Sequence, residues 1–182
     1  MEQKKVVPAG NEWACKHIRD FSGSPVSRIG EEWMLITSGS TAVQPGNWNT
    51  MTASWGGFGV LWGKAVAFMF IRPTRFTYTL ANDNALFTLS FFDMSYRPAL
   101  DICGTKSGLD TDKAAQADLT PVVFGDGGIG FQEAAEIITC RKLYVHDFDP
   151  ARFLDPSIEA LYPARDYHRM FIGEILTLRV KS

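Results

Sequence analysis

The run Arg72-Pro73-Thr74-Arg75-Phe76-Thr77 gathers two guanidinium groups and two threonine hydroxyls just after an apolar stretch, Ala65–Ile71. A residue before proline favours extended backbone, so Arg72 reads as the end of a strand. Pro73 suits the approach to a helix, and Thr74 is placed to cap it. Backbone amides at a helix N-terminus bind anions, and guanidinium groups grip phosphate through paired hydrogen bonds. The segment therefore points to a phosphate site. The plainer alternative is that Arg72 and Arg75 pair with surface carboxylates.

A second segment, Asn49-Thr50-Met51-Thr52-Ala53-Ser54-Trp55-Gly56-Gly57, is rich in small and hydroxylated residues. Small side chains let a ligand approach the main chain, while Asn, Thr and Ser give directional hydrogen bonds. Such a wall suits a flat heteroaromatic ring. Taken alone, it reads equally as an edge strand with a glycine-rich loop. The loop Gly104-Thr105-Lys106-Ser107-Gly108 offers hydroxyls and an ammonium. It lacks the glycines of a Walker loop, with Leu100 and Thr105 in their places. An anion-binding loop and an ordinary surface turn both remain open for it.

Other motifs fail on context. Gly125-Asp126-Gly127-Gly128-Ile129-Gly130 matches a dinucleotide fingerprint, and Asp149 lies where a ribose-binding acid would stand. Only Phe131–Glu136 separates it from the next strand, and a parallel crossover needs a dozen or more residues. A glycine-rich hairpin is the better account. Cys15 and His17 have no matching second pair for a metal, and His146 and His168 stand alone in the sequence. No G-x-S-x-G elbow is present, and Ser38 reads as a strand end.

The elements that would position these residues are mostly strands. Trp33–Ser38, Asn49–Trp55, Ala65–Ile71, Leu86–Phe92, Ile137–Val145 and Phe171–Lys181 read as strands. Ala65–Ile71 is a continuous apolar run, expected to be buried on both faces, and Leu86–Phe92 repeats that pattern with Phe, Thr and Leu. Phe171–Lys181 alternates, with Leu176, Leu178 and Val180 on a buried face and Thr177, Arg179 and Lys181 on a wet one. Short helices are expected at Thr74–Asn82, Ser95–Cys103 and Asp110–Ala117, with turns at Ser157–Leu161 and, built on Pro45–Gly46, at Gln44–Trp48. Many short strands with little helix favour an antiparallel barrel or sandwich. Residues 1–30 read as an N-terminal arm and 31–182 as the domain.

The chain has 182 residues, 46% hydrophobic and 21% charged, with net charge −2. That balance fits a globular domain and favours neither a nucleic-acid nor a membrane partner. No apolar run approaches the ~20 residues of a membrane helix. Lys4 and Lys5 are followed only by Val6–Val7 before Pro8, so no signal-peptide core is seen. The three cysteines, Cys15, Cys103 and Cys140, are odd in number and far apart, which points to a reducing cytoplasm. Aromatics make up 13%, enough to leave apolar surface exposed on a small lone barrel.

Taken together, the chain resembles the flavin reductase-like, FMN-binding split-barrel family. The likeness rests on Asn49-x-Met51-Thr52-x-Ser54-Trp55-Gly56, Arg72-Pro73-x-Arg75-x-Thr77 and Phe87-x-Leu89-Ser90-Phe91-Phe92. It continues through Gly104-x-x-Ser107-Gly108-x-Asp110-x-Asp112-Lys113 and Cys140-Arg141-Lys142-Leu143-Tyr144 to Asp166-x-His168-x-x-Phe171-Ile172-Gly173-Glu174-Ile175. The resemblance implies a mainly β, Greek-key split barrel with a few short helices, a homodimer, and FMN near the subunit interface. It implies that Asn49, Met51, Thr52, Ala53, Ser54 and Trp55 line the ring and ribityl region. Arg72, Arg75 and Thr77 would meet the phosphate, and Lys106, Ser107 and Lys113 would close over the phosphate or the ribityl side. His168 would sit at the reactive edge of the flavin, either donating a hydrogen bond or proton or serving as a structural histidine behind it. Leu109 departs from the pattern, which often has Arg there.

The activity so implied is hydride transfer from NADH or NADPH to bound FMN. Electrons then pass to a second flavin, a metal complex or a redox protein. A flavoredoxin-like electron carrier with no nicotinamide oxidation is the alternative.

Overall fold

The computed structural model describes residues 3–40 and 47–182. Of the turn expected at Gln44–Trp48, residues 44–46 lie outside them, while Trp48 already belongs to a strand. The strands are β1 (Val7–Pro8), β2 (Trp13–Lys16), β3 (Met34–Gly39), β4 (Trp48–Ala53), β5 (Gly56–Leu61), β6 (Lys64–Ile71), β7 (Leu86–Phe91), β8 (Pro121–Val123), β9 (Ile129–Phe131), β10 (Glu136–Asp147) and β11 (Arg169–Lys181). The helices are α1 (Pro25–Gly30), α2 (Phe76–Asp83), α3 (Arg97–Thr105) and α4 (Lys113–Gln116).

The main sheet runs β4-β3-β7-β10-β11-β6-β5, with β2 added beside β11. β4 and β5 lie at opposite ends of that path, yet only Ser54 and Trp55 separate them in sequence. The three Cα steps from Ala53 to Gly56 reach at most ~11 Å. The sheet must therefore curl until its two ends nearly meet. No ladder joins β4 to β5 among the described residues, so the barrel is closed by backbone and split at that seam. The fold is a mostly β split barrel with few short helices.

Successive residues of a strand face opposite sides. In β3, Met34 and Ile36 enter the barrel core, where they join Met51, Met69, Phe87, Leu89 and Phe171. Leu35 enters a second core outside the barrel, shared with Trp48, Leu100, Phe131 and Ile137. The apolar run at the start of β3 follows from having a core on each side. In β7, Phe87, Leu89 and Phe91 enter the barrel core, while the other face buries Thr88 and Ser90. In β6, Phe68 and Phe70 stay half-buried, so burial on both faces holds only for part of that run.

The glycine-rich segment forms the hairpin between β8 and β9. Gly127 takes φ +86°, in the left-handed region that glycine enters without strain. β1 runs parallel to β8, and together β1, β8 and β9 form a small sheet. That hairpin corrects the expected wet face of β11. Arg179 is buried, because Asp126 of the hairpin accepts from it at 2.7 Å and the Phe124 ring lies 4.2 Å from its guanidinium carbon. Leu176, expected inside, is exposed.

The segment before β3 is tied into the barrel. β2 pairs antiparallel with Leu178–Lys181 of β11. Phe21 packs edge-on against Phe91 and Phe58, at 5.0 and 5.2 Å between centroids. Below it, the buried Glu136 carboxylate accepts from Ser22 and Arg28. Two helices are shorter than expected. α2 starts at Phe76, and α4 covers only Lys113–Gln116, capped by Asp112 accepting from the Ala115 amide at 3.0 Å.

Gly173 of β11 sits where its strand crosses Phe87. A Cβ there would lie 2.5 Å from the Phe87 ring and 3.0 Å from the Cys140 Cβ. Forcing a methyl into packed core costs about 1–3 kcal/mol. Gly173→Ala should therefore lower unfolding stability by that amount, read by urea denaturation. A variant as stable as the parent would show that this crossing is looser than described.

Candidate functional site

The seam of the barrel is also where the chemistry collects. In the β6–β11 ladder Ile71 pairs with Arg169. One step beyond that pair, Arg72 and His168 leave the sheet side by side. The Ser54–Trp55 corner comes from the other end of the sheet, and the Trp55 ring lies 4.8 Å from the His168 ring. These residues, with Met51, Thr52, Ala53, Phe70 and Arg75, line an open cleft of about 230 Å³.

The arginines are held differently. Arg72 donates to Asp166 at 2.6 Å and to the Leu161 carbonyl at 2.9 Å, and its guanidinium carbon lies 4.8 Å from the Tyr162 ring centroid. The carboxylate alternative raised by the sequence therefore applies to Arg72. The Arg72 hydrogen bond holds the Asp166 carboxyl below the usual carboxylate range. Arg75 makes one side-chain bond, to the Gly104 carbonyl at 2.8 Å. Thr74 does not cap α2. Arg75 occupies the cap position, and no side chain accepts from the first turn. The Tyr78 amide of that turn bonds the Arg75 carbonyl at 2.9 Å, which leaves the Phe76 and Thr77 amides beside Arg75 without a partner among the described residues, an arrangement that attracts anions.

Three expected contact residues sit behind the cleft wall instead. Asn49 is buried and donates from Nδ2 to Thr77 Oγ1 at 2.9 Å, and Thr77 is buried as well. Lys113 is only 5% exposed, and its Nζ donates to the Thr50 and Cys103 carbonyls, each at 2.9 Å. The physical reason is the C-terminus of α3. The Cys103 and Gly104 carbonyls have no helical partner, and a helix C-terminus carries partial negative charge. Lys113 and Arg75 satisfy these two groups, while Thr52 Oγ1 donates to the Leu100 carbonyl. Lys106 and Ser107 lie exposed just past α3, and Ser107 Oγ accepts from the Leu109 amide at 3.2 Å. They form a surface turn away from the cleft lining.

His168 is 9% exposed, and its Nδ1 lies 2.9 Å from the Tyr162 hydroxyl. Burial, with Arg72 and Arg75 nearby, lowers its pKa to about 4, and Asp166 only partly opposes this. The ring is neutral at pH 7, so the two charge states suggested by its ordinary value do not both apply. The sequence assigns no role to Phe70 or Tyr162. Phe70 was hidden in an apolar run, and Tyr162 stands in a segment without periodicity. Asp166 belongs to the Asp166-x-His168 pattern, but nothing in the sequence shows that it faces Arg72.

Burial also lowers the Lys113 pKa, from 10.5 to about 8. The unfolded chain therefore binds this proton more tightly, and unfolding free energy rises with pH across that window. Lys113→Met should destabilise the protein by about 1–3 kcal/mol at pH 7, because it leaves two buried carbonyls unpaired. The gap between parent and variant should widen from pH 8 to pH 10.5 in chemical denaturation. A constant gap would show that the amine titrates normally.

No protein-family model and no curated protein matches the chain. Solved structures do. A flavoredoxin from Methanosarcina acetivorans is 17% identical, with TM-score 0.64 over 83% of this chain and 69% of that one. An FMN-binding domain of a flavin reductases-like enzyme from Shewanella baltica is 12% identical, with TM-score 0.65 over 95% and 79%. An NADH:FAD oxidoreductase from Streptomyces globisporus is 14% identical, with TM-score 0.60 over 81% and 73%. The fold of this chain is that of the flavin reductase-like split barrels.

Proposed function

We propose that the chain is an FMN-binding oxidoreductase that takes hydride from NADH or NADPH and passes electrons to a second flavin or another acceptor. The observation that carries the reading is the donor set of the cleft. Arg72, Arg75, Ser54 and the neutral His168 ring line it, and α2 begins directly after Arg75. A ligand that fits must bring acceptors and negative charge. FMN does so, with a phosphate at one end and ring carbonyls at the other, and the donor set fits it. FMN would supply the capacity to accept a hydride and release its electrons.

In this reading Arg75 and the α2 amides hold the phosphate. Arg72 orients the wall through Asp166 and Leu161 rather than gripping the anion itself. Trp55, 39% exposed, covers an aromatic face and limits water beside His168. Asn49, Thr77 and Lys113 fix β4 against α2 and α3 from behind. Electron transfer without nicotinamide oxidation is the second reading, favoured by the likeness to a flavoredoxin. We also propose a homodimer, supported by exposed apolar residues on β5, β10 and the β5–β6 turn, among them Val60 at 81% and Trp62 at 58%.

Titration should show FMN binding with flavin absorbance, and Arg75→Ala should weaken it about 10- to 100-fold, the effect of one charge-assisted bond. Full affinity in that variant would remove Arg75 from the phosphate site. Anaerobic mixing of the loaded protein with NADH or NADPH should bleach the flavin quickly. No bleaching with either would favour the carrier. Light scattering should give a dimer mass at micromolar concentration, and a stable monomer would count against that assembly.

A further inference from the structure

His168 has two ring nitrogens, and the one that carries the proton decides what it can do in the cleft. Its Nδ1 edge meets the Tyr162 hydroxyl at 2.9 Å, and the two rings meet edge to face at 5.5 Å between centroids. Tyr162 is buried, and no other described residue shares its hydroxyl. A buried hydroxyl proton needs an acceptor. If Nδ1 carried the ring proton, both groups would aim a hydrogen at one position, or the Tyr162 proton would be left unpaired. Nδ1 as acceptor satisfies both.

The carboxylate nearest the ring does not compete. Asp166 lies two positions away, but it accepts from Arg72. A carboxylate bound to Nδ1 would favour a protonated Nδ1 and a charged ring. Here Arg72 holds that carboxylate, and Arg72 and Arg75 both oppose a positive ring. No described residue bonds His168 Nε2, and that atom is not among the buried unpaired atoms. The Nε2 edge therefore belongs to the cleft.

We propose that Tyr162 is a positioning residue. Its hydroxyl donates to His168 Nδ1 and holds the neutral ring as the Nε2–H tautomer, so that His168 presents a hydrogen-bond donor to an acceptor atom of the bound ligand. The identity of that acceptor rests on the FMN reading; the tautomer does not. Tyr162 also stacks on Phe153, with ring planes 14° apart, and carries the Arg72 guanidinium on its face. Tyr162→Phe keeps the ring that makes these contacts and removes only the hydroxyl.

The experiment is nitrogen-15 NMR of the histidine rings in the full chain at pH 7, before and after FMN is added, with His168→Gln to assign the signal. The parent should show a protonated Nε2 and a bare Nδ1. Tyr162→Phe should show a mixture of tautomers. Its FMN affinity should fall roughly 2- to 10-fold, the effect of one neutral hydrogen bond. A protonated Nδ1 in the parent would overturn the proposal, and so would an unchanged tautomer in Tyr162→Phe. If that variant does not fold, the parent spectrum alone decides. If the parent binds no FMN but shows the Nε2–H tautomer, the flavin reading fails and the role of Tyr162 stands.

Discussion

Ser54 and Trp55 impose the constraint on which the rest depends. Two residues must carry the chain from one end of the main sheet to the other. Strand twist alone curls a sheet, but this junction fixes how far it curls and where its edges meet. The meeting place cannot be sealed by a ladder, because β4 and β5 do not pair among the described residues. An unsealed seam in a barrel is a groove with backbone on both sides. β6 and β11 end at the same level, so Arg72 and His168 are delivered to that groove by register rather than by loop flexibility.

A second demand shapes the site from behind. α3 ends against β4, and its last carbonyls need donors. Arg75 and Lys113 supply them, at the Gly104 and Cys103 carbonyls. These cations therefore serve the helix terminus before they serve any ligand. The partial negative charge of that terminus would repel an anion in the cleft, and placing two cations on it offsets the repulsion. Arg75 keeps donors beyond the one bound to Gly104, whereas Lys113 is sealed away from the cleft.

This sharing explains what could be read from the sequence. The strand runs at β3, β6, β7, β10 and β11 were legible because burial on one or both faces leaves an apolar signature. β5 was not, since Gly56, Gly57 and Gly59 disfavour a strand and only pairing with β6 makes one. Arg72 and Arg75 stood out by chemistry, and their segment does border the cleft. Sequence could not show that Asp166 occupies Arg72, because that pair is 94 residues apart. Nor could it show that Asn49, Thr77 and Lys113 point away from the cleft. Their orientation depends on where α3 docks, which no local pattern records. Likewise, the alternation of β11 puts Arg179 on a solvent face, and only the β8–β9 hairpin, remote in sequence, covers it.

β11 has its own consequence for how the barrel assembles. It pairs with β10, β6 and β2, and in chain order it follows every other strand. While the chain is being made, β6 with β5, and β3 with β4 and β7, can pair early as separate pieces. They stay unjoined until residues 169–181 arrive and pair with β6 on one side and with β10, the neighbour of β7, on the other. The two halves of the seam then come together in one late, long-range event, of the kind that makes β topologies slow to fold. Until that strand is in place, Arg72 and the Ser54–Trp55 corner belong to the same nascent chain but not yet to the same cleft.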